Sequence, residues 1–265
     1  MYINSAWRIL TIGDGDLSFS HALLENYQPK ALTATIFDNY ASLSAKYGAE
    51  HFQQLQAQGC ELLTSFDVTN KQTWEQLKKQ QFDAVFFQFP LLPAFNSADD
   101  FKQQCANVSV NTLHRRLLRH YLLHCFEEFL DSYGAQLAFI TSKDVKPYRQ
   151  WHIEQALTLN TDIHYLGYMP FEIAKFPGYK IRNVDRDKHV KDTQGITHVF
   201  SRRLSTELDC KLTKPKYLDD NYCGYCRVGP FHTEQDRENH RVSKKHQQMA
   251  LFEQQWLSDI EQDER

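Results

Sequence analysis

Three groups of side chains in this chain are of types that do chemistry, at spacings that chemistry needs. The first is Gly13-Asp14-Gly15-Asp16, two carboxylates set into a glycine turn. A glycine turn between a strand and a helix is where doubly wound α/β proteins receive a nucleotide-like cofactor. Backbone N–H groups and a helix N-terminus there favour an anion, but two aspartates repel phosphate. They suit a cationic ligand without phosphate. S-adenosylmethionine, with its sulfonium and ammonium groups, fits this turn better than NAD, FAD or ATP. Asp38 follows Gly13 by 25 residues, the place of a carboxylate that accepts ribose hydroxyls. Asp67 ends a third apolar run, where a carboxylate or its backbone meets an adenine amino group. Ser18 or Asp16 caps the helix that opens after the turn. Taken singly, each of these is an ordinary turn or a solvated strand end. Their recurrence at three successive strand ends points to a cofactor site.

The second group is Cys223-x2-Cys226 and, after thirteen residues, His240-x5-His246. This is zinc-ligand spacing. Two thiolates and two imidazoles close a tetrahedral site, which makes the metal structural rather than catalytic. Phe231 lies between the pairs and supplies the apolar contact a small finger needs, and His232 is a bystander. The third group is Phe86-Phe87-Gln88-Phe89-Pro90, an amide framed by aromatics and stopped by proline. It reads equally well as a buried strand that ends at a proline.

The elements that must position these groups alternate. Apolar runs at 9–12, 32–37, 61–65, 84–89 and 136–141 read as strands. Helical patterns fall near 18–26, 41–57, 72–80 and 107–132. Such alternation predicts an α/β fold, a Rossmann-like doubly wound sheet with a small C-terminal zinc-finger domain. Runs at 163–168 and 197–201 predict an edge hairpin, and the polar stretch from Arg182 to Gly195 between them a long functional loop. The expected division is 1–203 for the α/β domain, 204–218 for a linker and 219–265 for the finger, with a helix from about 233 carrying both histidines.

With 265 residues and a net charge of −3, the whole chain is not an electrostatic nucleic-acid binder, so any such contact must be local. It contains neither an apolar run of membrane-spanning length nor an N-terminal secretory pattern. Four of the six cysteines stand singly in apolar segments, which predicts reduced thiols and a cytoplasmic location.

The Gln88–Pro90 run resembles the Asn-Pro-Pro-Tyr type of motif in methyltransferases that act on base nitrogens. There the amide and a backbone carbonyl hold the target N–H and the aromatic stacks on the base. More broadly, residues 13–20, 82–90, Pro147-Tyr148 with Trp151, and Phe176-Pro177-Gly178-Tyr179 resemble the large-subunit rRNA (uridine-N3) methyltransferases over about residues 5–203. Gln88 stands where that family has Asn and Leu91 where it has His. The resemblance implies S-adenosylmethionine as cofactor, RNA, ribosomal above all, as partner, and methyl transfer to a ring nitrogen. It implies Asp16, Gln88, the Phe89 carbonyl and Pro90 at the reaction centre, and Tyr148, Trp151 and Tyr179 with Phe89 as stacking surfaces. Lys180 and Arg182, with Lys143, Lys146, Arg149 and Lys175, would meet RNA phosphates. The finger is similar to U1-like or matrin-type fingers, which implies a role in RNA binding, with protein contact as its alternative. Two other readings stay open at this level: a non-catalytic RNA-binding protein on a Rossmann-like scaffold, and a methyltransferase for small molecules or proteins.

Overall fold

The structure, a computed structural model, describes residues 1–93, 95, 97–182 and 195–263. The stretch 183–194, expected as a functional loop, lies outside the described residues, as do the last two residues of the finger segment. In chain order the elements are β1 (Arg8–Ile12), α1 (Ser18–Tyr27), β2 (Ala31–Thr35), α2 (Tyr40–Tyr47), α3 (Glu50–Ala57), β3 (Glu61–Leu63) and β4 (Ala84–Gln88). There follow α4 (Ala98–Gln104), α5 (Val110–His124), β5 (Leu137–Lys143), α6 (Ile153–Ala156), β6 (His164–Phe171), β7 (Gly195–Ser201), α7 (Glu234–Arg241) and α8 (Lys244–Asp263).

The seven strands make one sheet in the order β3-β2-β1-β4-β5-β7-β6. The first five run parallel; β7 inserts antiparallel between β5 and β6. The strand order reverses beside β1, so the crevice above β1 and β4 is the topological switch point where open α/β sheets bind ligands. Every residue of β4 is buried, which is why it reads as one apolar run. Its side chains alternate between two cores. Ala84 and Phe86 pack with Phe19 and Leu23 of α1, while Val85 and Phe87 pack with Leu118, Tyr121 and Leu122 of α5.

Several helices depart from expectation for local reasons. The single helix expected over 41–57 is two, because Gly48 takes a φ of 82° and ends α2. The pattern at 72–80 yields only a 3₁₀ turn, Lys71–Trp74. The 107–132 pattern gives α5 followed by one π-helical turn, Cys125–Phe129. The helix expected to carry both histidines breaks after Arg241, and α8 restarts two residues before His246.

The C-terminal part is not a tethered bead. Met249, Glu253, Trp256 and Ile260, one stripe of α8, are buried. The Trp256 indole N–H donates to the Ala156 carbonyl at 2.7 Å, Arg115 pairs with Glu253 and Arg116 with Asp259. The stretch read as a linker is pinned too. Leu208 is fully buried, Glu207 accepts from the Trp7 indole at 2.9 Å, and Thr213 exchanges backbone hydrogen bonds with Tyr168. Its polar composition hid an anchor made of backbone pairing and one buried leucine.

Candidate functional site

The glycine turn follows directly from β1. Gly13 has a φ of 60°, and a Cβ there would lie 3.1 Å from the Phe87 ring, so a side chain would be strained and crowded. The Gly13 N–H donates to the Thr35 hydroxyl at 3.2 Å and the Asp14 N–H to the Thr35 carbonyl at 2.9 Å, which ties the turn to β2. Asp14 is buried and accepts the Ser20 N–H at 2.7 Å. Burial, with Asp16 beside it, pushes the Asp14 carboxyl up to about 7. Asp16 accepts the Ser18 N–H at 3.0 Å and an ion pair from Arg182 at 2.7 Å. The Ser18 hydroxyl accepts the Lys180 N–H at 3.1 Å, so it fastens the turn to the Phe176-Pro177-Gly178-Tyr179 segment instead of facing a ligand.

Above the turn opens a cavity of about 650 Å³. Gly13, Asp14, Gly15, Asp16, Asp38, Asp67, Gln88, Phe89, Pro90, Tyr179, Lys180 and Arg182 all line it. Asp38 is held by Lys46 at 3.0 Å. The Asp67 carboxylate accepts the Thr69 N–H at 2.9 Å, and its carbonyl accepts the Trp74 indole N–H. Gln88 ends β4 buried, and neither its Oε1 nor its Nε2 has a hydrogen-bond partner. A buried amide without partners costs free energy that a ligand's hydrogen bonds restore. Phe89 has a φ of 47°, donates its N–H to the Thr141 carbonyl at 2.8 Å, and turns its ring edge-on to Phe171.

Tyr148 and Trp151 are not in the cavity lining. Trp151 is 2% exposed, stacked on His114 at 4.4 Å, with Tyr148 edge-on to it at 4.9 Å. These aromatics are packed into the sheet–helix core, which leaves no face of Trp151 for a base. The sequence reading also missed lining residues. Phe37, 51% exposed beside Asp38, had a strand-end signal, whereas Leu113, Arg116, Leu117 and His120 of α5 belong to a stripe that reads as core.

The second constellation lies in the C-terminal part. One ligand atom from each of Cys223, Cys226, His240 and His246 falls within 4.8 Å of the others. Cys223 Sγ lies 3.4 Å from His246 Nδ1, which in turn lies 3.2 Å from His240 Nε2.

A doubly wound sheet with an acidic glycine turn, carboxylates at successive strand ends and an antiparallel last-but-one strand is a Rossmann-like fold of the class I methyltransferase type. The chain belongs to the BMT5-like family of rRNA (uridine-N3-)-methyltransferases, whose family model matches residues 10–183. It is 27% identical over 213 residues to ferredoxin-fold anticodon-binding domain-containing protein 1 of Homo sapiens, covering 76% of this chain and 32% of that one. It is 25% identical over 187 residues to heavy metal-associated isoprenylated plant protein 41 of Arabidopsis thaliana, covering 69% of this chain and 34% of that one. The chain thus spans about a third of the length of the curated relatives it matches. Among solved structures it is similar to the B. subtilis tRNA methyltransferase TrmK, at 11% identity and a TM-score of 0.46, over 97% of this chain and 93% of that one. Among the described residues no helix is long and apolar enough to cross a membrane.

Proposed function

We propose that this chain binds S-adenosylmethionine in the cavity above β1, β2 and β4 and methylates N3 of an unpaired uridine in ribosomal RNA. The observation that carries the reading is Gln88, a buried amide with both polar atoms unpartnered, at the wall of a cavity whose glycine turn is acidic. The lining fits the cofactor: Asp14 and Asp16 favour its cationic methionine end, and Asp38 accepts from its ribose. The cofactor, when bound, supplies a methyl group on a sulfonium and departs as a neutral thioether.

The rest is positioning, which supplies much of the rate in such a transfer. N3 lies on the Watson–Crick edge, so the base enters unpaired or flipped out. Gln88 Oε1 accepts from N3–H and Nε2 donates to a flanking base carbonyl. The Phe89 carbonyl, fixed by the left-handed backbone at that residue, is a second acceptor. The N3 proton leaves to water as the nitrogen lone pair takes the methyl. Pro90 holds the turn, Tyr179 shapes the wall, and Lys180 and Arg182 line it, the latter paired with Asp16. Asp16, already engaged by Arg182 and the Ser18 N–H, serves as cap and electrostatic partner, not as proton acceptor.

Cys223, Cys226, His240 and His246 hold a structural zinc ion, since two thiolates and two imidazoles complete its tetrahedral shell. One stripe of α8 is buried within the chain while no residue of α7 is, and α7 carries Arg237 and Arg241 as the basic groups this reading turns toward RNA. Outside that cluster, Cys60, Cys105, Cys125 and Cys210 are free of disulfides, consistent with a reducing, cytoplasmic setting. The test is calorimetric titration with S-adenosylmethionine, NAD and ATP, followed by transfer of a labelled methyl group to cellular RNA by wild type and Gln88→Leu. The expected result is saturable binding of S-adenosylmethionine alone, retained in the variant, with transfer reduced by about 100-fold or more. Folded protein that binds no S-adenosylmethionine would overturn the assignment.

A further inference from the structure

The residue after the second cysteine of the metal cluster is Arg227, held at a φ of 52°. It points away from the cluster into the α/β domain. Its Nη1 pairs with Asp144 at 2.7 Å and its Nη2 with Glu154 at 2.6 Å. The guanidinium lies over the Tyr217 ring at 4.6 Å, and the Tyr217 hydroxyl donates to the same Glu154 oxygen at 2.7 Å. The Glu154 side chain is fully buried on α6, and Asp144 is the first residue after β5. One guanidinium therefore bridges two elements that are not otherwise joined by a side-chain ion pair among the described contacts. A planar fork with fixed donors does this; an ammonium does not span two carboxylates in the same way.

Residues 144–151, which this bridge grips, leave the sheet beside the reaction centre. Thr141 of β5 pairs with Gln88, and the Thr141 carbonyl takes the Phe89 N–H. The segment carries Lys146 and Arg149, the latter also on Asp144 at 2.9 Å. Its far end is moored on α5, where Asn111 Nδ2 and Arg115 Nη2 each donate to the Gln150 carbonyl at 2.8 Å. The near end has Arg227 instead. Among the described residues the Cys/His knuckle makes its ion pair to the segment through Arg227, one peptide bond from a ligand, and Tyr225 packs edge-on against His152 just beyond the segment's far end.

We propose that Arg227 is a positioning residue, through which the Cys/His knuckle fixes the 144–151 segment as the RNA-docking edge beside Gln88. The inference rests on the RNA methyltransferase reading for what the segment docks, but not for the brace itself. Losing the bridge frees the segment while leaving the glycine turn and cofactor cavity intact, so the loss falls on RNA binding and not on S-adenosylmethionine binding.

The test compares wild type, Arg227→Ala and Arg227→Lys in the full chain by hydrogen–deuterium exchange, S-adenosylmethionine titration and methyl-transfer kinetics on total RNA. Expected are exchange of 144–151 faster by about tenfold or more in both variants, with β1 and β4 unchanged. S-adenosylmethionine affinity stays within about twofold, and KM for RNA rises by about tenfold with kcat nearly constant. Arg227→Ala leaves Glu154 buried without its partner, and such a variant can fail to fold. The double variant Arg227→Met with Glu154→Gln removes both charges and keeps the question open to measurement: the same loosening of 144–151 is expected. Wild-type protection of 144–151 in the folded variants would overturn the brace, and so would loosening spread evenly over the sheet. A wild type that methylates no RNA would overturn the RNA reading alone, because the exchange comparison decides the brace by itself.

Discussion

Asp38 and Asp14 make different demands on the same ligand. Asp38 sits at the cavity with Lys46 as its partner, so removing it leaves no buried orphan. Asp38→Ala is expected to weaken S-adenosylmethionine binding roughly 10- to 100-fold, the worth of charged hydrogen bonds, with an unchanged unfolding midpoint, both measured on one preparation. Asp14 works through pH. Its folded pKa is raised to about 7, so the folded protein holds a proton there that the unfolded chain has already lost. Stability from this group is therefore present at low pH and lost as pH rises toward 7. A cationic ligand prefers the ionised form, so S-adenosylmethionine affinity is expected to rise between pH 6 and 8, flattening above 7. In Asp14→Asn the affinity is expected to be lower and independent of pH; a slope that survives in this variant assigns the titration elsewhere. The glycine turn and the strand-end carboxylates were legible in the sequence because so few residue types suit those places. Leu113, Arg116, Leu117 and His120 were not, because residues of a helix facing a cavity and residues facing a core carry the same spacing. Trp151 misled for the converse reason: an aromatic near a site reads as a platform until burial is known.

Among the elements, the strands were the most legible, since a five-residue apolar run bounded by turn residues has few other uses. Helix ends were less so. Gly48 was visible between α2 and α3, yet the flanking pattern is continuous enough to hide the break. The docking stripe of α8 went unread because Glu253 interrupts its apolar spacing; the buried Arg115 and His152 opposite make that glutamate a core residue. Trp256 anchors this contact. Trp256→Ala is expected to destabilise the docked helix by about 3–5 kcal/mol, read as a separate early transition in thermal unfolding. A single unshifted transition would show that α8 contributes little to the fold. Arg115 and Arg116 tie α8 to the helix whose Leu113, Arg116, Leu117 and His120 line the cavity, so the same variant should weaken S-adenosylmethionine binding more modestly than Asp38→Ala.

For the whole molecule, the Cys/His cluster and the α/β domain are joined through Arg227 and α8. A metal chelator is expected to loosen residues 219–241 while the sheet stays folded, seen as partial loss of helical circular dichroism reversed by added zinc. Full signal in excess chelator would mean that the four ligands pack without an ion. The spacing of the cysteines and histidines announced their clustering, but nothing in the sequence announced where the cluster docks, because the bridging charges lie 83 and 73 residues apart. The insertion of β7 between β5 and β6 has a consequence for synthesis. As the chain emerges N-terminus first, β1 to β5 can assemble at once, but β6 has no neighbour and one rim of β5 stays bare until Ser201 is out. For that interval the nascent protein exposes unpaired strand rims, the kind that capture other chains. The last-made strand of the sheet is thus also its safeguard against aggregation, and truncation before Gly195 should yield insoluble protein even though every cavity-lining residue has been translated.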